Sequence, residues 1–171
     1  NKLSLAPLWL KDKFLYLIAR EIKNAKAGEQ GHIIAKMNSL CDRDIIAALY
    51  EASAAGVKIE LIVRGICCLK VGIPDVSENI SVRSIVGTFL EHSRIFYFRN
   101  GGSDEIYMQI APEWDGRDER FDFRKVTKSE MEQFPNLKKM LIFGNERDAE
   151  SLRKVCDPLG IEVEPMACTS V

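Results

Sequence analysis

The chain has 171 residues, 46% of them hydrophobic and 29% charged, which suits one soluble globular domain or a domain with a short appendage. Its formal net charge is −1, so no overall basic field draws it to nucleic acid or to an acidic membrane surface. Any anion site must therefore come from a local cluster of arginines or backbone N–H groups. Five cysteines without a CxxC pair, beside only two histidines, argue against zinc and for free thiols in a reducing cytoplasm. The apolar runs are too short for a bilayer span, and no basic-then-apolar leader opens the chain. It starts at Asn1 without a methionine, as a piece of a longer protein would.

Residues 11–27 read as an amphipathic helix, with Phe14, Leu17, Ile18, Ile22 and Ala25 on one stripe and Gly28 closing it. "HIIAKMN" (32–38) reads as a buried strand. Asp42 or Asp44 can cap a second helix, whose inner face is Ile45, Ile46, Leu49 and Ala52 and whose end is Gly56. "VKIELIV" (57–63) is a second strand, so this region forms a βαβ unit with parallel strands. A loop over 64–80 leads to a strand at 81–86, and "GTFLEHS" is a turn or a single helical turn. "RIFYF" (94–98), "RNGGSD" and "EIYMQI" (105–110) form an antiparallel hairpin. After Pro112 both charge signs crowd together. A short helix can start at Ser129, and "KMLIFGN", "ERDAESLRKVCDPLG" and "IEVEPM" give a second, independent βαβ-type unit. The fold class is α/β, a mainly parallel sheet flanked by helices.

In open α/β sheets, ligands bind beyond the carboxyl ends of the strands. Arg64 is the first residue after the second strand and can present a planar fork of donors to phosphate oxygens; the alternative is a solvated arginine. Gly65 beside it lets the backbone approach a ligand. His92 stands between Glu91 and Ser93, with Arg94 just beyond. It is either an imidazole that moves protons or attacks phosphorus, helped by Arg83 and Arg94, or a structural histidine bonded to a carbonyl. His32 reads as structural, and Gly101-Gly102 as a hairpin turn. Gly144 follows a strand but lacks a phosphate-loop motif. Glu113, Asp115, Asp118 and Glu119 can be read as an Mg²⁺ site or as a solvated acidic loop.

Three blocks go beyond spacing: "IIAKMNSLCDRDIIAALYEASAAGVKIELIVRGICCL", "ENISVRSIVGTFLEHSRIFYFRNGG" and "EIYM". From about Leu5 to Met108 the chain closely resembles the C-terminal, phospholipase D-like half of bacterial polyphosphate kinase. The resemblance implies transfer of the terminal phosphate of ATP to polyphosphate through a phosphohistidine, with Mg²⁺. It implies phosphate binding by Arg64 and assistance of phosphoryl transfer by His92. It also implies ATP or ADP and polyphosphate as partners, no nucleic acid, no membrane insertion and a cytoplasmic setting. The family's phosphorylated histidine lies upstream and has no counterpart here, so turnover calls for a partner that carries the upstream half; a homo-oligomer is the other partner left open. The same lack leaves open a non-catalytic polyphosphate- or nucleotide-binding module, or a structural remnant. The expected division is residues 1–110 for the family domain and 111–171 for a divergent tail.

Overall fold

The computed structural model describes residues 10–85, 94–109, 128–132, 135–143 and 146–166. The first apolar stripe forms helix α1 (Leu10–Lys26), which buries Leu17 and Ile18. Gly28, at φ +87°, turns the chain into β1 (His32–Met37). The Asp42 side chain accepts the N–H groups of Asp44 and Ile45 at 3.0 and 3.1 Å, which satisfies open donors at the start of α2 (Arg43–Ala54). Gly56 at φ +89° leads into β2 (Lys58–Val63). β3 (Ile80–Arg83) follows, shorter than the expected strand at 81–86. The segment "GTFLEHS" lies outside the described residues. β4 (Arg94–Phe98) and β5 (Glu105–Gln109) pair antiparallel, as the hairpin signal predicts. Asn100, Gly101 and Gly102 all take positive φ in the turn between them, which the Asn-Gly-Gly run permits. The chain continues with α3 (Lys128–Met131), β6 (Lys139–Phe143), α4 (Glu146–Cys156) and β7 (Glu162–Met166).

The described strands form one seven-stranded sheet in the order β3-β2-β1-β4-β5-β6-β7. β1, β2 and β3 are mutually parallel, and so are β5, β6 and β7. β4 is antiparallel to both β1 and β5, so it alone runs against the other six. The C-terminal strand–helix–strand unit is therefore not independent, as its sequence suggested, but extends the same sheet through the β5–β6 pairing.

Two apolar clusters lie on opposite faces. Ile33 and Ala35 of β1 and Ile59, Leu61 and Val63 of β2 pack with Leu17, Leu49 and Ala52 of the first two helices. Ile106, Met140, Ile142 and Val163 pack with Ala149, Leu152 and Cys156 of α4 and Met131 of α3. Successive strand residues point to opposite faces, and β5 shows the change: Tyr107 belongs to the first cluster and Ile106 to the second. Aromatic rings bridge α1 to the sheet, with Phe14 4.3 Å from Phe96 and Phe98 edge-on to Tyr107 at 5.8 Å.

Glu21 ties the first layer together. It is fully buried, and its two carboxylate oxygens accept the N–H groups of Asn100 at 2.8 Å and His32 at 3.3 Å. One side chain of α1 thus holds the start of β1 and the turn after β4. Burial pushes its carboxyl above the ordinary range, against the pull of the two N–H donors.

Replacing Glu21 with Ala leaves two part-buried N–H groups without their acceptor. We expect a loss of about 2–5 kcal/mol, read from urea denaturation, because each unsatisfied group costs about 1–3 kcal/mol. Asp42 gives the opposite case. The Ile45 N–H, and then Lys11, hold its carboxyl below the ordinary value of 3.8. A depressed folded pKa stabilises above the unfolded value and loses that contribution as pH falls through the folded one. Asp42→Ala is therefore expected to lower Tm at neutral pH, with the gap to wild type closing on acidification; Asp42→Asn, which keeps a capping oxygen, should lose less.

Candidate anion site at the carboxyl edge of the sheet

Because β4 runs backwards, its first residue lies beside the last residues of its neighbours. β1 ends at Met37, β2 at Val63, β3 at Arg83 and β5 at Gln109, and β4 begins at Arg94. All five ends meet along one edge of the sheet. Lys36 and Arg83 lie on either side of Ile62 in one cross-strand row. Ile95 is opposite Lys36, so Arg94 lies one step nearer the edge. Four cationic residues, Lys36, Arg64, Arg83 and Arg94, thus share this edge. Among the described residues none of the three guanidiniums is paired with a carboxylate. The arrangement can gather phosphate oxygens around forked donors.

Arg64 is half-buried and held by its backbone. Its N–H donates to the Met37 carbonyl at 3.1 Å, and the Gly65 N–H donates to the Asn38 carbonyl at 2.7 Å. The chains after β1 and β2 therefore stay paired past the ends of the strands. Gly65 has a specific use here. A Cβ on it would stand 3.0 Å from the Asn38 carbonyl oxygen, a backbone atom. The close approach that glycine permits is to the neighbouring loop, which differs from the expected approach to a ligand.

The two histidines part company. His32 begins β1, at the amino edge, roughly 17 Å from the strand's other end at about 3.3 Å per residue. Its Nε2 meets Glu60 at 3.1 Å, and its ring lies edge-on to Tyr97 at 5.4 Å, which supports the structural reading. His92 lies outside the described residues; it precedes Arg94, at the carboxyl edge, by two positions. Gly144 and the acidic residues Glu113, Asp115, Asp118 and Glu119 also lie outside them. Sequence reasoning brought Arg83 and Arg94 to His92 but missed Lys36. Its only signal was parity: in "HIIAKMN" it alternates with the buried Ile33 and Ala35 and so faces away from the first core.

Gly65→Ala is expected to displace the Arg64 loop and cost about 1–3 kcal/mol in denaturant unfolding, the usual range for forcing atoms into a filled space. Retention of polyphosphate on a filter should fall in the same variant.

A family model described as polyphosphate kinase C-terminal domain 2 matches residues 3–130, running past Met108, where the shared sequence blocks end. The polyphosphate kinase of Halalkalibacterium halodurans is 62% identical over 111 residues, 65% of this chain and 16% of that protein. The Pseudomonas aeruginosa enzyme is 53% identical over 127 residues, 74% of this chain and 18% of that protein. Among solved structures, polyphosphate kinase from Porphyromonas gingivalis superposes with a TM-score of 0.54 at 49% identity, over 58% of this chain and 16% of that one. The chain thus spans less than a fifth of the relatives it matches. The α/β sheet and a family match over most of the sequence lead to one conclusion: the chain belongs to the polyphosphate kinase family, matching its C-terminal domain 2.

Proposed function

We propose that this chain supplies the Arg64 and His92 side of a polyphosphate kinase site, in which the terminal phosphate of ATP passes reversibly to polyphosphate. The observation that carries this is the meeting of the Arg64 strand end with the Arg94 strand start on one edge. Arg64 holds phosphate oxygens through its fork, and Arg83 and Arg94 add positive charge where the transferred group becomes more exposed. His92 assists the transfer, its imidazole being suited to moving a proton near neutral pH.

The phosphorylated nucleophile belongs to another part of the kinase. His32, the other histidine, lies at the far edge and is engaged with Glu60. Supporting a binding role for this chain alone, the edge carries the cationic residues Arg64, Arg83 and Arg94. Nucleophilic catalysis requires its nucleophile. Among the described residues no three His, Cys, Asp or Glu side chains converge as a metal group would require. Phosphate handling by this chain is assigned to the guanidiniums and the imidazole. No described helix is long and apolar enough to cross a membrane.

The test is phosphate transfer between ATP and polyphosphate, with Mg²⁺ present, by this chain alone and mixed with the upstream half of a family kinase. We expect no turnover alone and turnover in the mixture that His92→Ala abolishes. An inert mixture sinks the enzyme reading. Polyphosphate binding by the chain alone should weaken with salt and fall about tenfold in Arg64→Ala, since one charged hydrogen bond is worth about 1.5–3 kcal/mol. Equal binding by wild type and variant would remove Arg64 from the site.

A further inference from the structure

The chains leaving β1 and β2 remain paired beyond Arg64. Leu40 and Cys67 form a parallel bridge; the Leu40 N–H donates to the Ile66 carbonyl, and the Cys68 N–H to the Leu40 carbonyl, both at 2.9 Å. The next residue on each chain is a cysteine, Cys41 on one and Cys68 on the other. Both are exposed free thiols. Paired strands lie about 4.8 Å apart, within the Cα separation of about 4.4–6.8 Å that a disulfide spans. The Cys41 thiol lies against the same pairing, donating to the Ile66 carbonyl at 3.9 Å, and the neighbouring Cys68 thiol raises its pKa.

The other described cysteines are placed differently. Cys67 packs against the first core, with its Sγ 3.8 Å from the Leu69 carbonyl oxygen. Cys156 is buried in the second core, where burial pushes its thiol up to about 11. Register and exposure thus select one pair.

We propose that Cys41 and Cys68 form an oxidisable dithiol, whose disulfide ties the loop after β1 to the loop after β2 beside Arg64. The oxidant is a peroxide. One cysteine thiolate attacks a peroxide oxygen, the O–O bond breaks, and a sulfenic acid and hydroxide result. The second thiol then attacks the sulfenic sulfur, the S–S bond forms, and the S–O bond breaks to release water. In sum, two thiols and one hydrogen peroxide give one disulfide and two waters.

The experiment treats the full chain with limiting hydrogen peroxide, alkylates the remaining thiols and maps peptides without reduction. The expected result is a Cys41–Cys68 cross-linked peptide, with two alkylatable thiols lost and regained on adding dithiothreitol. Cys41→Ser and Cys68→Ser should each lose the cross-link; because both positions are exposed, circular dichroism should show the fold retained. Amide exchange at Leu40 and Cys68 should slow on oxidation. The proposal is overturned by sulfinic acid at either cysteine without a cross-link. A cross-link through Cys67, Cys168 or a second chain also overturns it, and so does unchanged exchange at the two amides.

Discussion

One strand running against six others is the constraint on which the rest depends. From the centre of the sheet, β1, β2 and β3 step outward one way, and β5, β6 and β7 step outward the other way. Parallel strands joined through a helix cross over right-handedly. Stepping in opposite directions therefore places α2 and α4 on opposite faces, and each half of the sheet acquires its own core. β4 fills the junction between the halves. Its reversal brings Arg94 to the edge where every other strand finishes. That junction is the switch point at which open α/β sheets collect ligands.

The two edges of the sheet are built on different terms. At the amino edge, charge is used up internally. Lys58 and His32 share Glu60, Arg20 meets Glu105 at 2.7 Å, and Lys139 lies between Glu162 and Glu164. The Tyr107 hydroxyl donates to Glu105 and that of Tyr97 to Asp104, and burial raises both phenols. These groups hold helix and sheet together and leave little for a ligand. At the carboxyl edge the described guanidiniums lack such carboxylates, and backbone pairing rather than ion pairing fixes the loops.

Much of this was legible locally. Helix α1, strand β1, the Asp42 cap and strand β2 fall within a residue or two of their expected positions, because stripe, cap and glycine stop are properties of adjacent residues. The hairpin was legible from Asn100-Gly101-Gly102 for the same reason. Strand order was not. Pairing of Ile33 with Phe98 joins residues far apart in sequence, and no local pattern records it. Nor could a pattern show that the last strand–helix–strand unit would join the same sheet. At the site, Arg64 was legible as a strand end, whereas Lys36 became visible only once β2 and β3 were laid beside β1. The contact of Gly65 with the Asn38 carbonyl was not legible, because that close neighbour comes from another loop.

The separation of the edges also bears on how the molecule behaves at a distance. A net charge of −1 suggests a nearly neutral particle. Yet acids and bases cancel pairwise along one rim of the sheet, while Arg64, Arg83 and Arg94 stand together on the other. Such a particle carries a multipole that its total charge conceals. A polyanion within a Debye length of the carboxyl rim, about 8 Å at physiological salt, meets a local field that the average does not describe. Under the proposed function, the approach of a long phosphate polymer is then governed by orientation: the polymer is drawn to one rim of a sheet whose total charge is almost nil.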